Sequence, residues 1–315
     1  MYQAIPNLKN HPEFSKIVNL VSAQNPLQRK RIENFINQQD EDYWNFAEEL
    51  SRTLNWTLLQ TNEARAEAAQ SYNRMCMDIL REQIRFRKTG VYLISNAEVA
   101  NENVYSQPNV MRYYIVGLLL SYLFWSNHYR MLKFFKDHLT RITSIENCLE
   151  VGAGHGLFTS ETLRHFPHLD MHVLDISETS LNLAREMLDT FQVDVSRASF
   201  ELGDYLKTSF GNGKFDFIIM GEVLEHVNDA PEFLRQTRLL IQPTGTVFLS
   251  TCANCAAVDH VYHFHTVDEI RKLFRDANFS IVQELVLPAE AVPESRWLEE
   301  LVTINYCAIL SPTTS

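Results

Sequence analysis

Hydrophobic positions along this 315-residue chain change their period part-way along it. Up to about residue 140 they recur at helical spacing. Pro26 followed by Leu27–Ile36 suits a helix with proline in its first turn. The stretch 40–50 starts on Asp40-Glu41-Asp42, which complements a helix dipole, and places apolar side chains at 43, 44, 46, 47 and 50. Residues 64–87 read as one long helix ended by Thr89-Gly90. Gln107-Pro108 opens another over 109–138, with a break expected near Ser126-Asn127. This predicts an all-α N-terminal domain over 1–140. From 145 onward short apolar runs alternate with helical ones. Strands are expected at Cys148-Leu149, 172–175, 200–205, 215–220 and 245–251, with helices at 157–166, 178–191, 230–241 and 266–277. Such alternation implies parallel strands joined by right-handed crossovers. A final strand pair is expected at 281–287 and 303–311, with Pro288–Trp297 inserted between them.

Glycine is distributed just as unevenly. Eight of the ten glycines lie at or after position 152, and three of them fall in Glu150-Val-Gly-Ala-Gly-His-Gly156. Alternate glycines let a strand-to-helix turn pass close to a ligand, with backbone N–H groups and a helix N-terminus facing it. A dinucleotide fingerprint would place its third glycine at 157, where this chain has Leu157. About twenty residues on, His172-Val-Leu-Asp175 is an apolar run ending in a carboxylate, as suits a ribose diol. Phe200-Glu-Leu-Gly-Asp-Tyr205 ends in another acid, and Phe215–Met220 runs into Gly221-Glu-Val-Leu-Glu-His-Val227.

This ordered set resembles the class I S-adenosylmethionine-dependent methyltransferases over roughly residues 145 to 311. The resemblance implies an α/β, Rossmann-like seven-stranded sheet over 141–315, with S-adenosylmethionine bound at the carboxyl ends of the strands. On that basis Gly152 and Gly154 border the methionine portion, and Glu150 orients its ammonium, directly or through water. Asp175 accepts from the ribose hydroxyls with Ile176 beside it, Asp204 meets the adenine amino group with Tyr205 by the ring, and Glu222 lies at the methionine end. His155 is open to cofactor or acceptor contact, or to none.

Methyl transfer to a hydroxyl requires alignment of the acceptor, exclusion of water and removal of a proton. Glu222, Glu225 and His226 follow the fourth strand. His226, with Glu225 beside it, is the expected general base, since imidazole titrates near neutral pH. Glu-x-x-Glu-His also resembles the metal-binding segment of ubiquinone-pathway O-methyltransferases and of small-RNA 2′-O-methyltransferases. That resemblance implies a divalent ion on Glu222, Glu225 and His226, completed by His260 or, next, His263. Cys252-Ala-Asn-Cys255 invites a zinc reading with those histidines, but the gap is far shorter than finger spacing; packing is the expected role.

Composition narrows the partners. A formal charge of −11 disfavours nucleic acid and anionic membrane. The longest apolar run, Tyr113–Trp125, falls short of the about twenty residues a spanning helix needs. Met1–Pro6 carries no secretory signal, and five cysteines without framework spacing suit a reducing cytoplasm. The expected protein is a cytoplasmic methyltransferase acting on a small-molecule hydroxyl, in specialised metabolism. An amine acceptor and a non-catalytic cofactor-binding or assembly protein are the alternatives. The helical half serves as a cap or as a homodimer surface. Of Tyr113, Tyr114, Tyr122, Phe124, Trp125 and Tyr129, most are expected in its own core, with at least one helix reaching the acceptor.

Overall fold

The structure, a computed structural model, describes residues 6–313; Met1–Ile5, part of the segment read for a secretory signal, lie outside them. The helical half comprises α1 (Pro12–Gln24), α2 (Pro26–Ile36), α3 (Glu41–Trp56), α4 (Asn62–Thr89), α5 (Ala97–Ala100), α6 (Pro108–Phe124) and α7 (Ser126–Leu139). Local chemistry sets their ends. Asn25, Asp40 and Thr61 cap α2, α3 and α4 with side-chain oxygens, and Gly90 closes α4 in the left-handed region at φ 73°. The break expected near Ser126 falls at Trp125, whose extended backbone separates α6 from α7. The helix at 12–24 lies outside those expected from the pattern; Phe14, Ile17, Val18 and Val21 form its buried stripe.

The remainder forms β1 (Cys148–Val151), α8 (Leu157–His165), β2 (Met171–Asp175), α9 (Glu178–Thr190), β3 (Ala198–Leu202), β4 (Phe215–Gly221), α10 (Ala230–Leu240), β5 (Ile241–Ala253), α11 (Val267–Asp276), β6 (Phe279–Pro288) and β7 (Ile304–Pro312). These strands make one seven-stranded sheet in the order β3-β2-β1-β4-β5-β7-β6. The first five run parallel, while β7 pairs antiparallel with both β5 and β6. The expected strand 200–205 lies two residues earlier, because Gly203-Asp204-Tyr205 turns away as the loop after β3.

Alternation along β4 sends Phe217 and Ile219 into one apolar layer and Ile218 and Met220 into the other. The first layer runs without interruption from Phe14 and Tyr43 in the helical half to Phe248 and Ile309 in the sheet. Phe135 of α7 packs at ring-centroid distances of 4.8 Å from both Phe158 and Phe248. The boundary near 140 therefore separates kinds of element but not cores. Of the six aromatics, Tyr114, Tyr122, Phe124 and Trp125 line the large cavity. Tyr113 instead bonds Asp78, and Tyr129 packs on Tyr43 and Phe46.

The glycine turn is positioned by the same packing. Gly152, Gly154 and Gly156 all have positive φ, at 75°, 53° and 73°. A Cβ on Gly156 would lie 2.5 Å from Ala184 Cα, so α9 can approach only a glycine there. Gly156→Ala should cost roughly 2–4 kcal/mol from strain and overpacking together. Gly90 has the same φ but open space around it, and its alanine variant should lose only about 1–2 kcal/mol. Urea denaturation of both variants measures the difference, and equal losses would refute the packing argument.

Candidate active site

A cavity of about 920 Å³ opens where the strands end. Its floor is built from the segments after β1, β2, β3 and β4, and its roof from α4, α6 and the turn between them. Asp175, at the end of β2, is buried, and its two oxygens accept from the Gly154 N–H at 3.2 Å and the Ser177 N–H at 2.8 Å. Ser177 Oγ caps α9, which frees Asp175 from capping. A carboxylate has about four acceptor positions, so lone pairs remain for a ligand diol. Burial raises the Asp175 carboxyl to about 6, against the pull of those backbone N–H groups.

The expected cofactor residues divide into three groups. Gly152, Gly154, Asp175, Ile176, Asp204, Tyr205 and Glu222 all line the cavity. Ile176 keeps 49% of its surface exposed, leaving an apolar face for a planar ring. Asp204 accepts from the Leu206 N–H and pairs with Lys207 at 2.9 Å, so an incoming amino group shares it. Tyr205 is buried, with its hydroxyl 3.1 Å from Thr237 Oγ1 and its ring against Phe233. Glu150 is placed differently. It is 1% exposed, is not among the residues lining the cavity, and accepts from the Thr159 hydroxyl. Direct contact with a bound ammonium is therefore replaced by support of the turn from behind. His155 lines the cavity, accepts from the Leu157 N–H, and is lowered to about 4 by burial, so it is neutral at pH 7.

A cationic ligand with a ribose and an adenine fits these residues. At Gly154 a Cβ would meet nothing within 4 Å, leaving room for a ligand beside the backbone. Glu222 sits at φ 55° just after β4, and its Oε1 is enclosed with no hydrogen-bond partner among the described residues. Burial, then the Glu225 charge, pushes the Glu222 carboxyl well above the usual range. Such an acid gains from a nearby positive group.

The segment after β4 splits its polar residues. Leu224–His226 is a single 3-10 turn, so adjacent side chains diverge. Glu225 turns inward, fully buried; Thr251 donates to Oε2 at 2.8 Å, and Cys252 Sγ lies 3.8 Å from Oε1. It does not line the cavity. This corrects its expected catalytic role: Glu225 anchors the end of β5 and, through its carbonyl, the N–H groups of Val261 and Tyr262. His226 does line the cavity. Its Nδ1 lies 2.9 Å from the Tyr105 hydroxyl, 3.2 Å from the Asp259 carbonyl and 3.5 Å from Asp259 Oδ2. A carbonyl only accepts, so Nδ1 carries the hydrogen and Nε2 keeps a lone pair.

Two further residues complete this arrangement. Tyr105 ends a π-helical turn, Asn101–Tyr105, and its hydroxyl donates to Asp259 Oδ2 at 3.2 Å. Tyr114 of α6 donates to Oδ1 at 3.2 Å. Burial, reinforced by Asp259, raises both phenols well above 10, so both remain donors. Sequence pattern names Tyr114 only among the aromatics of its helix and does not point to Tyr105 or Asp259, because the partners lie 121 to 154 residues apart.

The expected four-residue metal set does not converge as a unit. Donor atoms of Glu225, His226 and His260 come within 4.8 Å of one another, while Glu222 groups with Glu225 and Cys252. His263 belongs to neither; it bonds Asn254 at 2.9 Å and stacks beside Tyr92. A third group unites Cys252, Cys255 and His260. The Cys255 thiol is lowered by its hydrogen bond from Cys252 and by His260. For His260, burial acts downward, but Cys255, Asp259 and Glu225 carry it up to about 10.

Residues 124–284, just over half of the chain, match a family model described as a methyltransferase domain. The chain belongs to this family, the class I S-adenosylmethionine-dependent methyltransferases. It is 32% identical over 107 residues to a ubiquinone biosynthesis O-methyltransferase of Rhodopseudomonas palustris, covering 33% of this chain and 38% of that one. It is 28% identical over 145 residues to methyltransferase calH of Penicillium decumbens, covering 42% and 38%. The chain thus spans well under two thirds of these relatives' length. A phosphoethanolamine N-methyltransferase of Haemonchus contortus, solved with phosphomonomethylethanolamine and S-adenosylhomocysteine, shares the fold. It aligns with a TM-score of 0.51 at 11% identity, covering 71% of this chain and 62% of that one. Among the described residues no helix is long and apolar enough to cross a membrane.

Buried acids give the fold a pH signature. Burial raises Glu150 to about 8, with Thr159 opposing and Asp175 adding. Its folded pKa lies above the unfolded one, so its favourable contribution is complete below about pH 4.5 and is lost as pH climbs towards 8. Glu150→Gln keeps an acceptor for Thr159 without the charge. The variant should gain in melting temperature relative to the parent between pH 5 and 9, and parallel melting curves would contradict the assignment.

Proposed function

We propose that this methyltransferase acts on the hydroxyl of a small, largely apolar molecule of the kind made in specialised metabolism, with His226 as general base. The observation that carries the reading is the Asp259–Tyr105–His226 arrangement on the cavity wall, which fixes the imidazole tautomer and leaves Nε2 free to accept a proton. When bound, S-adenosylmethionine supplies the electrophilic methyl group. Asp175 would hold the ribose diol, Ile176 and Tyr205 the adenine ring, and Asp204 its amino group. Gly152 and Gly154 would admit the methionine portion, with Glu222 offsetting its positive charge.

The helical roof argues for the acceptor class. Ile79, Leu80 and Ile84 of α4, Leu118 and Tyr122 of α6, and Trp125 just beyond it line the upper cavity. Leu80 and Ile84 remain 43% and 48% exposed, so apolar surface extends to the rim. An aromatic or alkyl body packed there removes that surface from water at about 25 cal/mol per Å² and presents one polar atom towards His226. The hydroxyl proton passes to Nε2, and Asp259 stabilises the imidazolium through Nδ1.

Turnover of labelled S-adenosylmethionine against panels of phenols, alcohols and amines tests the proposal. His226→Ala should lower kcat on the best hydroxyl acceptor by about 10²–10⁴-fold, while S-adenosylhomocysteine still raises the melting temperature. Asp175→Ala should remove that stabilisation. Full activity in His226→Ala, turnover of amines alone, or binding without turnover would each overturn the reading.

A further inference from the structure

Cys252 and Cys255, at the end of β5, and His260, five residues further along, bring two thiols and an imidazole together at the edge of the cavity, and the roles proposed for the cofactor residues and the base use none of the three. Their ligand atoms all lie within 4.8 Å of one another. Cys252 Sγ is 3.8 Å from His260 Nδ1 and 3.8 Å from Glu225 Oε1. A tetrahedral zinc ion bonded at about 2.0–2.3 Å spaces its ligands roughly 3.3–3.8 Å apart. We propose that Cys252, Cys255 and His260 bind a zinc ion that fastens the loop after β5 against the catalytic turn, with Glu225 Oε1, beside Cys252 Sγ, the nearest carboxylate oxygen to complete the set.

Donor chemistry selects the metal. Two thiolates and an imidazole are softer than magnesium or calcium accept, and mixed sulfur, nitrogen and oxygen ligation suits zinc. Both thiols lose their protons to solvent on binding. His260 Nδ1 now lies 2.6 Å from the Cys255 carbonyl; metal ligation through Nδ1 replaces that bond. Glu225 brings one oxygen already fixed by Thr251, leaving Oε1 for the ion. With Glu225 as the fourth ligand no position would stay open, as in a structural centre.

The surrounding loop is built to be fastened. Cys255 N–H donates to the Tyr92 hydroxyl at 3.1 Å, and Ala256 N–H to Gln83 Oε1 at 3.1 Å. The same loop carries Asp259, which orients His226. The ion would therefore tie three things to one point: the end of β5, the turn after β4 and the helical roof. The proposal does not depend on the acceptor being a hydroxyl.

The full-length chain, stripped with a chelator under reducing conditions, is titrated with cobalt and then zinc. About one equivalent of cobalt should produce a sulfur-to-metal charge-transfer band that zinc abolishes. Cys255→Ser and His260→Ala should each lose the band. Should either variant fail to fold, wild-type thiol labelling followed by peptide mass spectrometry still decides. Zinc should protect the half-buried Cys255 from alkylation while leaving Cys76 unaffected. No cobalt band with both thiols reduced, or equal labelling with and without zinc, overturns the proposal. Retained S-adenosylhomocysteine stabilisation in the stripped protein shows that such a failure concerns the metal alone.

Discussion

The grip of two tyrosine hydroxyls on the Asp259 carboxylate is the interaction that turns two kinds of architecture into one site. Asp259 is 2% exposed, and both its oxygens accept from phenols contributed by the helical half. A buried carboxylate without such donors is strongly disfavoured, and hydrogen bonds to its charged form offset that cost. Tyr105 and Tyr114 therefore hold α6 and the π turn at a fixed height above the strand ends. His226 reads that height through Nδ1. If the helices moved away, the carboxylate would lose its donors and the imidazole its orientation.

Shared packing makes the arrangement rigid. One apolar layer passes from the first helix into the sheet, so the roof is part of the core that supports the floor. Close packing transmits displacement. A change at Phe135, wedged between Phe158 and Phe248, is felt both at the glycine turn and at β5. This explains why a chain of ordinary composition carries so many buried aromatics in its first half: they fix a cavity as well as fill a core.

Much of this was legible from sequence where the determinants are local. Strand and helix periods placed all seven strands and the helices between them, since a run such as Phe215–Met220 must pair wherever it lies. The glycine turn announced itself because positive φ at 152, 154 and 156 admits little else. The parts that escaped are those set by distance and direction. Asp259 meets tyrosines about 150 positions away, and no local pattern encodes such a meeting. Glu225 and His226 are neighbours in sequence, yet the 3-10 turn sends one into the core and the other to the cavity. The Cys-x-x-Cys was set aside on its short gap to His260. The turn after β5, with Asn254 in the left-handed region, folds that gap back on itself.

The remaining constraint is electrostatic. Glu150, Asp175 and Glu222 crowd the strand ends, and burial lifts all three carboxyls above their usual values. A chain carrying a net charge of −11 gains nothing in stability by concentrating buried acids here. The placement becomes intelligible once the ligand is cationic. A positive group in the cavity favours the ionised carboxylates and lowers their pKa, so its binding releases protons and its affinity rises with pH until the acids are charged. The same groups that make the empty site electrostatically unfavourable thus make it selective. A neutral molecule of similar shape leaves the repulsion in place, and only a ligand bearing positive charge relieves it.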